Sequence, residues 1–365
     1  MDKFLGNARD HTRPEQCGTQ TANSRCIFMS CLHWNPLVVP KLPKIRPGLY
    51  ILVLLLSIPV GYGGYLRTQG IFACPAGDAY FGTSRYVGYC NATGFGDYDH
   101  GAFWFGLEPA AARFAADADV LFLGSSRMEF ALSTVETDQW FSSAGLSHYL
   151  LGFTSTENST FVAPLLGKLK PRAKVYVINV DQFFNGVETD IGSEILHDPE
   201  AEQNTKQKKV WQDLQRSVCR RVRAICGHQF AYFRSIEHGH WVQRGVNPRP
   251  SAPTGDGPIE DQQHWNEYAA AAQQFIASLP VDRACVLLTI VPSPRTRMAE
   301  AKAIASATGI QLVNPQLPGL QTFDSSHLDG TSAQRWSTAF FEIAGPRIRH
   351  CFSQAGTATA TGQSK

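Results

Sequence analysis

Apolar residues fall along this chain in distinct textures. One is an unbroken block from Pro47 to Leu66 (PGLYILVLLLSIPVGYGGYL), with no charged residue and its densest part at Leu49 to Val60. At about 1.5 Å of rise per residue, a helix of this length is roughly what one bilayer crossing requires. A second texture begins beyond Glu108, where short apolar runs recur: Asp119 to Leu123 (DVLFL), Lys174 to Val180 (KVYVINV), Cys285 to Val291 (CVLLTIV) and Ile310 to Val313 (IQLV). Continuous runs of this length, as opposed to alternating ones, suit strands buried on both faces of a parallel sheet. Between them lie helical patterns, the clearest of which puts Trp265, Tyr268, Ala272, Phe275, Ile276 and Leu279 on one helical face. Ser133 and Glu136 have the spacing of a capping box and mark a helix start shortly after Gly124-Ser125-Ser126-Arg127. Strands alternating with helices in this way predict a three-layer α/β/α domain around a parallel sheet.

These patterns divide the chain. Residues 1–46 mix small and polar residues with scattered charge and read as a disordered cytoplasmic tail, 47–66 as a transmembrane anchor, and 67–107 as a loop-rich extracytoplasmic segment. The α/β domain follows over 108–352, interrupted by an insertion at about 187–263 whose far end is marked by Asn247 to Gly257 (NPRPSAPTGDG), and 353–365 read as a disordered tail. Within the insertion, Val210, Trp211, Leu214, Val218, Val222 and Ile225 share a helical face. Lys206, Lys208, Lys209, Arg216, Arg220, Arg221 and Arg223 load the rest of that helix with positive charge. Such a helix can lie on anionic lipid or meet an acidic polymer, but the expectation is a solvated helix packing its apolar stripe on the core.

Composition changes the picture in a few places only. A formal charge of +2 with 18% charged residues lacks the concentrated basicity that a nucleic-acid partner demands. Lys41, Lys44 and Arg46 precede the apolar block and only Arg67 closely follows it, so the positive-inside rule puts the N-terminus in the cytoplasm. Some 46 residues precede the block, which argues for an anchor over a cleavable signal. The expectation is therefore a single-pass protein of the inner (plasma) membrane with its domain outside, in the periplasm. Cys74, Cys90, Cys219, Cys226, Cys285 and Cys351 would then lie in an oxidising space. Spacing favours Cys74 with Cys90 and Cys219 with Cys226, while Cys285 opens an apolar run and reads as a buried thiol.

Candidate chemistry sits at two strand ends. The run Asp119 to Leu123 ends in Gly124-Ser125-Ser126-Arg127, which puts two hydroxyls at the carboxyl edge of a central strand, where open α/β sheets bind ligands. A Gly before the serines permits a sharp turn, so that a hydroxyl projects into the crevice while its own N–H is free for an oxyanion. The G-x-S-x-G pattern of α/β-hydrolases is absent, Met128 standing where its second glycine would be. Near the other end, Asp324-Ser325-Ser326-His327 follows the last expected strand. The carboxylate of such a D-x-x-H can orient the imidazole, which then serves a serine as general base.

A strand-terminal Gly-Ser-Ser at the start of the sheet, together with D-x-x-H after its last strand, resembles the SGNH/GDSL hydrolase family. The likeness runs over about Glu108 to Arg349 without the insertion, and is greatest to membrane-anchored bacterial members concerned with acyl transfer on cell-envelope polymers. The resemblance implies a flavodoxin-like α/β/α domain with Ser126 as nucleophile, His327 as base and Asp324 as its orienting acid, Ser125 being the alternative nucleophile. It implies an oxyanion hole from the Ser126 amide and Gly152, which closes HYLLG, with Asp181 standing where the family has an asparagine; Asn158, Asn179 and Asn185 are nearby substitutes. The implied activity is that of a serine esterase or O-acyltransferase on acetylated polysaccharide, beside a membrane acyltransferase partner. The alternative is a non-catalytic envelope protein that binds polysaccharide or assists such an acyltransferase. A flavodoxin-like nucleotide binder would need a Gly-rich phosphate loop, which is missing. Arg295 and Arg297 could reach an anionic substrate at the sheet edge. Cys226, His228, His238 and His240 follow no zinc spacing, so no metal or cofactor is expected.

Overall fold

The computed structural model describes residues 47–77, 84–154, 156–245, 249–257 and 262–360, and the expected cytoplasmic tail lies outside them. The chain falls into two units, up to Leu55 and from Leu56 onward. Helix α1 (Pro47–Thr68) contains the apolar block, and its Pro47–Leu66 stretch, of mean hydropathy 1.8, is long and apolar enough to cross a membrane.

Downstream, β1 (Arg85–Cys90) and β2 (Gly96–Asp97) lead into α2 (Asp99–Trp104) and α3 (Pro109–Asp117). The α/β succession then runs β3 (Val120–Ser125), α4 (Ser126–Ala131), α5 (Thr134–Ala144), β4 (His148–Phe153), α6 (Ser159–Leu169) and β5 (Val175–Asn179). The insertion supplies α7 (Asp190–His197), α8 (Ala201–Cys219), β6 (Ala231–Ser235), β7 (Trp241–Arg244) and β8 (Ala252–Pro253). The succession resumes with α9 (Gln262–Ser278), β9 (Val286–Thr289), α10 (Met298–Thr308), β10 (Leu312–Val313), β11 (Gln321–Thr322) and α11 (Gly330–Ala360).

Five strands form a parallel sheet in the order β4-β3-β5-β9-β10. Numbered as they appear, that is 2-1-3-4-5, a doubly wound order whose switch point lies beside the first strand. Alternate residues of each strand feed opposite layers. Leu121, Leu123, Tyr176, Ile178, Val286 and Leu288 pack with residues of α3, α6, α9 and α10, and Val120, Phe122, Val175, Val177 and Leu287 pack with α4, α5 and α11. The α/β expectation therefore holds, and the predicted helical face of α9 buries Ala272, Phe275 and Ile276, with Leu279 just beyond it. Ser133 is the N-cap of α5, although its hydroxyl meets the Glu136 carboxylate instead of a backbone amide.

The structure departs from expectation elsewhere. The segment read as loop-rich pairs with the insertion to make a second, antiparallel sheet, β2-β1-β6-β7. Helix α8 packs through part of the predicted apolar stripe, Trp211 and Leu214 lying partly buried against the cluster that contains Cys74, Val87 and Phe233. Its buried face is Ala201, Thr205, Gln212, Gln215 and Cys219, whereas Val210 is exposed. The reason lies in the backbone it meets: Gln212 Nε2 donates to Val87 O at 2.7 Å, and Gln215 Nε2 donates to Pro75 O at 2.9 Å. Cys285 is not a thiol but pairs with Cys351, 66 residues on, beside the disulfides Cys74–Cys90 and Cys219–Cys226. Closing a loop of that length in the unfolded chain is worth about 4 kcal/mol in the chain-entropy picture. Helix α11 runs to Ala360 through most of the tail expected to be disordered, and residues 361–365 lie outside the described residues.

Candidate active site

Ser126 sits where β3 ends and α4 begins, at the carboxyl edge beside the switch point. The turn is tight because Gly124 has no side chain: a Cβ there would come within 3.0 Å of Asn179 Cβ and 3.2 Å of Met128 Cβ. Ser125 is buried and caps α4, its Oγ accepting from Arg127 N at 3.4 Å. That leaves Ser126, as the first helical residue, with an amide that has no i−4 partner inside the helix.

The Asp324–His327 turn is built by the chain folding back on itself. Ser325 takes a positive φ of 61°, and Phe323 N donates to His327 O at 2.9 Å. In that turn one oxygen of Asp324, Oδ1, accepts from the amides of Ser326 (3.1 Å) and His327 (2.9 Å). The other, Oδ2, accepts from His327 Nδ1 at 2.8 Å, and His327 Nε2 lies 2.8 Å from Ser126 Oγ. The structure thus brings Ser126, His327 and Asp324 together from positions 201 residues apart in the chain. The His327 ring is held between Phe130, edge-on at 4.9 Å, and Phe323, stacked at 5.6 Å.

Electrostatics support the arrangement. Burial pushes the Asp324 carboxyl up, but the bond and charge of His327, with the two amides, outweigh it and hold the carboxyl below its ordinary value. The stability it contributes is present above the ordinary aspartate range and is lost as pH falls through that lowered value. A carboxylate kept ionised in this way fixes Nδ1–H and leaves Nε2 to accept the serine proton.

The residues assigned to the oxyanion hole by resemblance lie otherwise. Gly152 is at the end of β4, but its amide donates to Glu129 Oε1 at 2.7 Å and so is already engaged. Its lack of a side chain serves packing, since a Cβ there would lie 2.8 Å from Glu129 Cγ. Asp181, at the end of β5, offers no donor and is ion-paired to Arg127, which neutralises it. Asn158 caps α6 and donates to Val187 O, Asn185 accepts from Val187 N, and Asn179 accepts from Val291 N at 3.2 Å. Asn179 Nδ2, beneath Gly124, is buried with no partner among the described residues. Arg297 pairs with Glu300 at 3.4 Å, and Arg295 is exposed.

Several neighbours went unread in the sequence. Arg127, next to the serine, reaches Ser326 Oγ through Nε at 3.4 Å while holding Asp181. Its position beside the GSS motif was the available signal. Arg234 of β6 is completely buried and binds Asp99 Oδ2 (2.7 Å), Glu129 Oε1 (3.2 Å), Leu150 O (2.6 Å) and Gly152 O. This cation ties the antiparallel sheet to α4, the helix that Ser126 opens, and to β4. Burial pushes the Glu129 carboxyl up to about 8, against the opposing pull of Arg234 and the Gly152 amide.

Around Ser126 and His327 lies a cleft of ≈ 480 Å³. One wall is aromatic and comes from the antiparallel sheet: Tyr89 stacks on Tyr232 at 5.7 Å, and Tyr232 on Trp241 at 3.7 Å. Arg127 and Arg249 also line it. Compared with protein-family models, curated proteins and solved structures, the chain matches none.

Proposed function

We propose that this chain is an extracytoplasmic serine esterase or O-acyltransferase of the SGNH/GDSL type, acting on acyl esters, acetyl above all, of an envelope or secreted polysaccharide. The observation that carries the reading is the pair of 2.8 Å hydrogen bonds running from Ser126 through His327 to Asp324 in an open cleft. In the reaction, Ser126 Oγ attacks the ester carbonyl as His327 Nε2 takes its proton. His327 then returns that proton to the departing alkoxide, leaving an acyl-Ser126. Water entering with His327 as base completes hydrolysis, and a sugar hydroxyl in its place completes transfer. The Ser126 amide would be the donor to the developing oxyanion, and Arg127, paired to Asp181, lines the same cleft.

The aromatic wall supports a carbohydrate substrate, since flat ring faces can cover the apolar faces of sugars. Placement outside the cytoplasm is supported by the apolar helix, by the cations ahead of it and by the disulfides. Partnership with a membrane acyltransferase rests on the family resemblance alone. One observation favours a second reading, a non-catalytic polysaccharide-binding module: Glu129 engages the Gly152 amide that the family would give to the oxyanion.

The test uses the full chain in detergent, an aryl acetate and an acetylated polysaccharide. Turnover of both supports the enzyme, and binding without turnover supports the module. In Tyr89→Ala, KM for the polymer is expected to rise about 5- to 10-fold, the worth of one aromatic contact, with kcat on the aryl acetate unchanged. Equal loss on both substrates, or none on either, would remove the sugar platform.

A further inference from the structure

At the far end of β4 from the serine, three side chains converge from distant parts of the chain. His148 opens β4, Asp138 lies on α5, and His240 ends the turn between β6 and β7. His148 Nε2 and His240 Nε2 face each other at 3.2 Å, and Asp138 Oδ1 lies 3.2 Å from the latter and 3.4 Å from the former. From these atoms and this spacing we infer a divalent transition-metal site, with zinc as the ion, formed by Asp138, His148 and His240.

The distances fit coordination. Ligands at 2.0–2.1 Å from a tetrahedral zinc lie about 3.3 Å from one another, and two imidazoles with one carboxylate are a usual donor set for it. Hydrogen bonding holds the cluster in one way, with both imidazoles protonated on Nε2 and donating to Asp138 Oδ1, which sets the two N–H groups side by side at 3.2 Å. A cation between the three atoms accepts all of them at once. His240 Nδ1 is buried with no partner among the described residues, and coordination through Nε2 would place the ring's proton there.

The rings are also held for the purpose. His148 lies between Phe141, stacked at 4.2 Å, and His238, stacked at 4.9 Å. Asp138 is 37% exposed, which leaves the fourth direction open to a water ligand.

Register assigns the ion a role. Val120 pairs with His148 and Ser125 with Phe153, so the cluster and the serine are separated by about five residues of strand, roughly 17 Å. The ion is therefore a clamp and not a reactant. It fastens the β6–β7 turn to β4, the edge strand of the parallel sheet, where Leu150 N already donates to His238 O at 3.0 Å. Gly239 allows the approach: it has a φ of 76°, and a Cβ there would lie 2.1 Å from Leu150 O. The clamped strands carry Tyr232 and Trp241, so the site holds the aromatic wall of the cleft from behind, whether or not that cleft is catalytic.

The full chain in detergent, stripped with chelator, titrated with Zn²⁺ and freed of excess, is assayed for metal by mass spectrometry and for visible absorption after Co²⁺ substitution. Wild type should retain about one ion per chain and give a four-coordinate Co²⁺ spectrum. Asp138→Ala, a partly exposed position that leaves the fold intact, and His240→Ala should each weaken retention at least about tenfold. His228→Ala, exposed and outside the cluster, should bind as wild type does. A folded wild type that retains no zinc, or an Asp138→Ala chain that retains it as wild type does, would overturn the site.

Discussion

Ester turnover by His327→Ala is expected to fall on the order of 10³-fold or more, with the protein still folded. The magnitude follows from the geometry. Ser126 Oγ has one base within reach, 2.8 Å away, and no other imidazole lines the cleft among the described residues. Without it the hydroxyl must attack while still protonated. The fold should tolerate the change, because the His327 side chain is 13% exposed and its ring packs on Phe130 and Phe323 at the cleft surface. Asp324→Asn should cost nearly as much with less structural change. An amide in place of Oδ2 would present N–H to Nδ1, reversing the tautomer and turning Nε2 from acceptor to donor. Steady-state kinetics on an aryl acetate measure both. A variant within about tenfold of wild type would show that the Ser126–His327–Asp324 chain does not carry the reaction.

Arg234→Met is expected to lower stability by about 3–5 kcal/mol, the cost of leaving buried carboxylates without their cation. Asp99 and Glu129 both lose a charged partner, and the carbonyls of Leu150, Gly239 and Gly152 lose a donor. None of these groups reaches solvent for compensation. Glu129 also makes the effect depend on pH. Its carboxyl holds a proton more tightly when folded, so the stability it lends is full below the ordinary glutamate range and falls as pH rises through about 8. Removing the opposing Arg234 charge should steepen that fall. Urea unfolding at pH 6 and pH 9 measures it, and Glu129→Gln added to Arg234→Met should recover part of the loss at pH 9. A loss under about 1 kcal/mol would mean that the network is not what joins the two sheets.

How much of this was legible in the sequence follows from how local each signal is. The parallel strands announce themselves because both faces are buried: Val120 to Leu123 and Val175 to Ile178 are apolar throughout. Gly-Ser-Ser and Asp-x-x-His could be read because each is a short turn whose chemistry lies within four residues. The antiparallel sheet could not. Its inner strands, β1 and β6, come one from before the parallel succession and one from the insertion within it, and β6 has a buried arginine, Arg234, where a strand reading wants an apolar residue. Arg234 reads as surface until Asp99 and Glu129 are placed beside it. Cys285 looked like a core thiol for the same reason, its partner Cys351 lying on the last helix. The resemblance makes Gly152 an oxyanion donor, and nothing local reveals that the Glu129 carboxyl comes back to its amide. Of the histidines singled out in the insertion, only His240 enters the metal cluster, and its partners lie about a hundred residues earlier.

The most direct test of the central claim is fluorophosphonate labelling of the full chain in detergent, read by intact mass and peptide mapping, with Ser126→Ala beside wild type. A single adduct on Ser126, absent from Ser126→Ala, is the predicted result. A folded wild type, its disulfides intact, that takes up no label, or a Ser126→Ala chain that is labelled as wild type is, would contradict it.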